Sequence, residues 1–291
     1  MRDGVGYLPV LADPAQYLAK AETLILPFGS NGHPIPGTPD ASGPLRVGVD
    51  LGTAYTVLVV LNQQGSVIAG EYAFAQVVRD GLVVDYIGAV DLLREIRTHV
   101  EHRIGRELTH AASGFPPGVP RAEVRATANV VEAAGMRCPD LIDEPSAANN
   151  VLGLRDGAIV DVGGGTTGIA VLKDGKVVYT ADEATGGTHF SLVIAGALDI
   201  SFEEAEELKK DPRQQKRLFP IVRPVMEKVG SIVERHLRGM DVDSITLVGG
   251  TTVFPGIAGV VEEMTGIATR VPERPLFVTP LGIALSDMQE L

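Results

Sequence analysis

The sequence predicts an α/β chain of two similar halves. Three observations lead there. Apolar strand patterns alternate with helical patterns along the chain, a strand–Asp-x-Gly–strand unit occurs twice, and the composition is that of an ordinary globular protein. Of 291 residues, 45% are hydrophobic and 21% charged, enough to bury one or two substantial cores. Strands followed by helices, twice over, form layers rather than a bundle or a sandwich.

The repeated unit is clearest at Ile159-Val-Asp-Val-Gly-Gly-Gly-Thr-Thr-Gly-Ile-Ala170. An apolar run delivers an aspartate, then three glycines, two hydroxyls and a second apolar run. Glycine lets a backbone turn tightly and approach a ligand closely, and successive N–H groups in such a turn form an anion-binding concavity. Gly163-x-Gly165-x-x-Gly168 also matches the dinucleotide fingerprint. That fingerprint needs a helix next. Here Ile169 to Tyr179 reads as two strands joined around Asp174-Gly175, a hairpin signal, so the dinucleotide reading is set aside. The earlier copy is Leu45-Arg-Val-Gly-Val-Asp-Leu-Gly-Thr-Ala-Tyr to Leu61, with Asp50 111 residues before Asp161. A single duplication at that distance is not a short-period solenoid.

The remaining elements follow in order. Residues 1–44 read as an N-terminal extension: a short amphipathic helix from Pro14 to Leu26, then a Pro/Gly/Ser-rich linker from Phe28 to Pro44. Residues 1–28 have two possible uses, as a docking peptide for another protein or as a segment packed back on its own domain. Tyr86 to Ile104 repeats apolar residues at helical spacing, and Ala111 to Phe115 ends a strand. Pro120 to Met136 reads as a helix with proline near its start and Gly135 near its stop. Asp143-Glu-Pro-Ser opens a further short helix. Beyond the hairpin come a helix from Gly186, with Thr188 as its candidate N-cap, and another opened by the capping box Ser201-x-x-Glu204. A long helix from Ile221 to Leu237 is expected to be interrupted at Pro224. A strand ends in Gly249-Gly250 and feeds a helix, and Thr279 to Leu285 closes the body as the last helix. The domains expected are 45–155 with 279–291, and 156–278.

Composition excludes some functions. A net charge of −12, 5% aromatic residues and no tryptophan argue against a nucleic-acid surface, which needs clustered lysine and arginine or stacking platforms. Cys138, the single cysteine, has no partner for an internal disulfide and no metal-ligand spacing around it. No apolar run reaches membrane-span length and the N-terminus lacks a signal-peptide core; a soluble, cytoplasmic protein is expected.

What the repeated unit could do is handle phosphate. Two Gly turns facing each other across a cleft would aim N–H groups at phosphates from both sides: Gly52, Thr53 and Ala54 from one, Gly163, Gly164 and Gly165 from the other. The hydroxyls of Thr53, Thr166 and Thr167 could donate as well. Phosphoryl transfer asks a protein mainly for positioning, a metal and a group that orients the nucleophile. Asp50 and Asp161, at the ends of equivalent strands, are the candidates for Mg²⁺, held through its waters. Glu144 is the candidate for orienting the attacking water. The Gly-x-x-x-x-Gly-Lys-Ser/Thr motif is absent from the sequence, so this is not a P-loop protein.

Together these segments resemble the actin and Hsp70-type ATPase superfamily over residues 46–287. Val47 to Thr53 and Val160 to Thr167 look like its two phosphate motifs, and Asp143-Glu-Pro-Ser-Ala-Ala and Thr279-Pro-Leu-Gly-Ile-Ala like its two connectors. Leu247-Val-Gly-Gly-Thr-Thr-Val-Phe-Pro-Gly resembles its adenosine motif. The resemblance implies an actin-like ATPase fold, two ribonuclease-H-like domains around a nucleotide cleft, with ATP or ADP and Mg²⁺ between them. It also implies that Glu206 and Lys209 flank the nucleoside, that Gly249 and Gly250 lie beneath the adenine, and that Thr251 is a further nucleotide-binding residue.

Within the superfamily, Val78-Arg-Asp-Gly-Leu-Val-Val-Asp-Tyr, Ser113-Gly-Phe-Pro-Pro-Gly, Asp182-Glu-Ala-Thr-Gly-Gly-Thr-His and Ile200-Ser-Phe-Glu-Glu-Ala-Glu are similar to the EutJ family of ethanolamine-utilisation proteins. That similarity implies a chaperone-like ATPase or a non-hydrolysing adaptor, working with ethanolamine-pathway enzymes or the shell of a bacterial microcompartment. The basic residue that Hsp70 chaperones place near the γ-phosphate has no counterpart between Asp50 and Glu144, which favours slow hydrolysis or a nucleotide-gated switch. A small-molecule kinase, also known in this superfamily, would need an acceptor pocket for which the body leaves little room.

Overall fold

The computed structural model describes residues 11–30, 41–79, 82–119 and 121–287. The first half contains α1 (Pro14–Leu24), β1 (Ile25–Pro27), β2 (Leu45–Leu51), β3 (Tyr55–Asn62), β4 (Val67–Phe74), β5 (Val78–Arg79), β6 (Leu82–Val83), α2 (Tyr86–Ile104), β7 (Ala112–Phe115), α3 (Arg121–Ala133), β8 (Leu141–Asp143) and α4 (Glu144–Leu152). The second contains β9 (Gly157–Val162), β10 (Thr167–Lys173), β11 (Lys176–Glu183), α5 (Gly187–Leu198), α6 (Phe202–Lys210), α7 (Pro212–Leu237), β12 (Ser244–Val248), α8 (Ile257–Thr265) and β13 (Ala268–Arg270). Helix α9 (Val278–Ser286) then returns to the first half.

Both sheets are built the same way. The second runs β11-β10-β9-β12-β13, an antiparallel meander followed by two parallel strands. The first runs β1-β4-β3-β2-β7-β8. Setting β1 aside, it repeats the same order, again with an antiparallel meander and two parallel strands. Residue alternation explains the layers. Val57, Val59 and Leu61 of β3 face a central core with α1, α4 and α9, while Leu58 and Val60 face an outer core with α2 and α3. In the second half Ile159 faces the central core, and Ala158, Val160 and Val162 face an outer one with α5, α7 and α8. Side chains of a strand alternate between faces, so each sheet is covered on both sides.

The structure decides three expectations, the first between its stated alternatives and the other two by correction. The described residues of the extension pack back on the body. Leu18, Ala21, Leu24 and Ile25 are buried in the central core, and β1 pairs in parallel with the edge strand β4 through Ile25–Gly70, Leu26–Glu71 and Pro27–Tyr72. An amphipathic helix finds its apolar partner in its own body here, and an uncovered edge strand accepts a short neighbour. The linker residues 31–40 lie outside the described residues, as do residues 1–10 and Pro120. Secondly, α7 starts at Pro212, where Asp211 caps it, and runs through Pro220 and Pro224 without a break. Thirdly, α5 is capped at Gly186 rather than at Thr188. The β10–β11 hairpin is present, with positive φ at both Asp174 and Gly175, as a primed turn requires.

Candidate functional site

Asp50 and Asp161 occupy equivalent positions. Asp50 sits opposite Val57 in the β2–β3 ladder and Asp161 opposite Gly168 in the β9–β10 ladder. Each strand then turns back through one N–H···O bond, from Gly52 to Tyr55 (3.0 Å) and from Gly163 to Thr166 (3.0 Å). The turns meet: a Cβ on Gly164 would lie 2.7 Å from the Ala54 Cβ. Only glycine permits that approach, and the two phosphate-type turns become neighbouring jaws of one cleft.

The cleft is a cavity of about 270 Å³. Its lining brings together Asp50, Gly52, Thr53, Ala54, Glu144, Asp161, Gly163, Gly164, Gly165, Thr166, Glu206, Lys209, Gly249, Gly250 and Thr251. The exception is Thr167. Its side chain is fully buried and its hydroxyl donates to the Thr185 carbonyl (2.6 Å). Thr166 and Thr167 are consecutive, so they point to opposite faces. Thr167 holds the sheet to the segment before α5 and is no phosphate donor.

Glu144 is the first residue of α4, which Asp143 caps by accepting from the Ser146 N–H (3.0 Å). Its carboxyl shares the cavity with Asp50 and Asp161, and burial raises all three. Burial, and then the Asp161 charge, pushes the Asp50 carboxyl up to about 7. Glu144 is raised well above the usual carboxylate range, by burial first and then by Asp50 and Asp161. Asp161 is raised by burial, against the opposing pull of a hydrogen bond from the Thr279 hydroxyl to Oδ2 (2.6 Å). No cationic side chain lies among the cavity-lining residues except Lys209 and Lys210, both on α6. Carboxyls assembled without a compensating cation are a departure from ordinary packing that marks functional sites.

The opposite end of the cavity is built on Gly249 and α6. Gly249 adopts φ +90°, and a Cβ there would collide with Asp161 Oδ1 and the Val162 carbonyl. Thr251 lines the cavity while its hydroxyl donates to the Gly163 carbonyl (2.7 Å), tying this end to the second turn. Lys209 is fully engaged: its ammonium donates to Glu206 Oε2 (2.6 Å), Ser191 Oγ (2.9 Å) and the Gly187 carbonyl (3.1 Å). An ammonium has three donors, so Lys209 orients Glu206 and has no hydrogen left for a ligand in this arrangement. Glu206 Oε2 also accepts from Ser191 Oγ (2.5 Å). Its Oε1 is the acceptor that faces fewer partners, with only the Lys210 ammonium nearby at 3.8 Å.

Among the lining residues that the sequence reading did not assign to the site, two make contacts that matter for it. Thr279 opens a connector-like motif, but nothing in sequence ties it to Asp161. Lys210 carries no motif in the sequence, yet its ammonium stands 4.1 Å from the Phe74 ring centre and 5.9 Å from that of Tyr55. Both rings belong to the first half, so Lys210 bridges the cleft by a cation–π contact.

Comparisons with known proteins agree with this architecture. Residues 129–278 match the family model described as type IV pilus assembly protein PilM. The chain is 43% identical over 255 residues to the ethanolamine utilization protein EutJ of Escherichia coli, covering 87% of this chain and 90% of that protein. The crystal structure of EutJ from Carboxydothermus hydrogenoformans superposes with a TM-score of 0.85 at 46% identity, covering 94% of this chain and 98% of that one. MreB5 of Spiroplasma citri, in a crystal structure bound to AMPPNP, superposes with a TM-score of 0.68 at 18% identity over 84% of this chain and 95% of that one, which shows the actin-like fold. The chain belongs to the EutJ family of ethanolamine utilization proteins, and its residues 129–278 belong also to the wider sequence family that the PilM model describes.

Proposed function

We propose that this protein binds ATP in the cleft between its halves and hydrolyses it slowly with Mg²⁺, as a chaperone-like or assembly factor for ethanolamine-pathway enzymes or a microcompartment shell. The observation that carries the proposal is the meeting of two equivalent Gly turns with three acidic side chains in one cavity. MreB5 binds AMPPNP on the same fold, which supports a nucleotide as the ligand.

The residues fit a divalent cation. Asp50, Glu144 and Asp161 are hard oxygen donors whose affinity for protons is raised by burial, and at Asp50 and Glu144 also by neighbouring carboxylates; a metal ion would offset both effects. Among the described residues no three acidic, histidine or cysteine side chains form a metal cage. Binding through water by Asp50 and Asp161, with phosphate oxygens completing the shell, is the mode that Mg²⁺ favours. When bound, the ion would supply charge neutralisation for phosphoryl transfer. The N–H groups of the two turns, with the Thr53 hydroxyl, would hold phosphate oxygens. Glu144, fixed at the start of α4, would orient the attacking water and accept its proton. Glu206 and the Gly249–Thr251 segment would hold the nucleoside.

Calorimetric titration with ATP and Mg²⁺ tests binding, and absence of heat or competition would overturn the proposal. Asp161→Ala is expected to abolish hydrolysis while the circular dichroism spectrum stays that of the parent. Comparing phosphate release with and without ethanolamine-pathway enzymes tests the assembly role. A second reading, a non-hydrolysing adaptor that uses nucleotide only for stability, is favoured by the lack of a cation near the three carboxylates among the cavity-lining residues. Single-turnover experiments separate the two, since an adaptor would release unchanged ATP.

A further inference from the structure

Helix α9 touches the elements that carry all three cavity carboxylates, and it does so at contacts too close to slide. In its first turn, Thr279 donates its hydroxyl to Asp161 Oδ2 (2.6 Å), with both side chains buried. Further along, Gly282 lies so near α4 that a Cβ would collide with the Ala147 carbonyl, and α4 begins with Glu144. Ala284 lies against Gly48 of β2, whose Cβ would have no room either, two residues before Asp50. Beyond the helix, Asp287 accepts from the Val47 N–H (2.8 Å) and pairs with His110 Nε2 (2.9 Å). Arg46 donates to the carbonyls of Leu285 (3.2 Å) and Asp287 (2.9 Å). Helix α9 is thus fastened to the first half at its middle and its end, while Thr279 reaches a carboxylate of the second.

A carboxylate plane rotates in a broad, shallow torsional well, so a buried Asp needs partners to fix its direction. Asp161 has two. Gly249 packs against Oδ1 with no space for a side chain, and Thr279 occupies Oδ2. Threonine suits this task because its β-branched side chain is stiff and leans back over the helix start. We propose that Thr279 is a positioning residue: its hydroxyl sets the orientation of Asp161 and ties that carboxylate to α9. Asp161 thereby keeps its register with Asp50 and Glu144. The consequence for catalysis rests on the ATPase reading above, whereas the tie itself is a property of the nucleotide-free chain.

The test therefore has two arms, both on the full chain. Thr279→Val keeps the shape and removes the donor, and Thr279→Ser keeps the donor. In the first arm, hydrogen exchange is followed without nucleotide at the turn formed by residues 163–166. Exchange there is expected to speed up about fivefold in Thr279→Val, the equivalent of one lost hydrogen bond of ~1 kcal/mol, and to return to the parent rate in Thr279→Ser. If Val disturbs folding, Thr279→Ala gives the same comparison, since it removes the donor and adds no atom. In the second arm, kcat for ATP is expected to fall about tenfold in Thr279→Val with KM within about twofold, as for other outer-shell partners of metal ligands. Unchanged turn exchange in the variant lacking the hydroxyl overturns the proposal, as does failure of Thr279→Ser to restore it. If the parent shows no ATP turnover but the exchange difference is present, the ATPase reading fails and the positioning role of Thr279 stands.

Discussion

The two Asp-x-Gly turns close through the same hydrogen bond yet are held very differently. The first keeps side chains at Thr53 and Ala54, and beyond its own hairpin the Ala54 carbonyl accepts from the Ala75 N–H (3.0 Å). The second is three glycines, and its carbonyls accept from three donors. Thr251 Oγ1 and the Gly187 N–H (2.9 Å) reach Gly163, and the Thr188 N–H (2.8 Å) reaches Gly164. The turn with the most intrinsic freedom is therefore the one most tied to its surroundings. Glycines at the start of α5 allow the approach that pins it: a Cβ on Gly186 would collide with the carbonyls of Gly163 and Gly164, and one on Gly187 with Thr251 Oγ1. Duplication preserved the hairpin and its aspartate while making one jaw firmer than the other.

The largest test of that contrast is Gly164→Val. The added atoms have nowhere to go but into Ala54, and overpacking of this kind costs about 1–3 kcal/mol, so nucleotide affinity by titration is expected to fall about tenfold to a hundredfold. Pairing it with Ala54→Gly, which opens space on the other jaw, should recover part of the loss. If Gly164→Val binds as the parent does, the jaws do not meet.

A smaller effect separates the equivalent residues Thr56 and Thr167. The Thr167 hydroxyl is bonded to Thr185, whereas the buried Thr56 hydroxyl finds no partner among the described residues. Removing a bonded donor leaves its acceptor stranded, but removing an unbonded one relieves a penalty. Thr167→Val is expected to lose about 1–2 kcal/mol in urea unfolding, and Thr56→Val to be neutral or slightly stabilising. Equal losses at both would erase the distinction between the halves.

The broadest effect is on pH. The folded chain holds a proton on Asp50 up to about 7, against an ordinary value of 3.8, so folding takes up a proton within that window. A group that binds more protons in the folded state makes stability fall as pH rises. The melting temperature of the nucleotide-free protein is therefore expected to decline between those values, and less steeply in Asp50→Asn. The same slope in Asp50→Asn and the parent would remove Asp50 as its source.

Sequence revealed most where local chemistry decides the structure. Asp-x-Gly turns, the Asp174-Gly175 hairpin and the Ser201 capping box are set by neighbours in the chain, and the order of the sheets follows from repeating them. It revealed least where direction in space decides. The outward turn of Thr166 and the inward turn of Thr167 differ by one strand position. Strand β1 spans only Ile25–Pro27, too short to show any alternation. Thr279 is separated from Asp161 by most of the second half, and the saturation of Lys209 depends on Ser191 and Gly187 arriving from another helix.

The docking of the N-terminal segment has a consequence for the order in which the chain can be completed during synthesis. Ile25 pairs with Gly70, and α1 shares its core with Phe277 and Leu281. The segment made early must therefore wait, first for β4 and then for the approach to α9, before its apolar face is covered. Contacts so distant in sequence form slowly, and a chain that has not yet presented Phe277 and Leu281 covers Leu18, Leu24 and Ile25 only in part, with β3 and β4. Interrupted translation products would retain that sticky face, which makes them natural targets for cellular quality control.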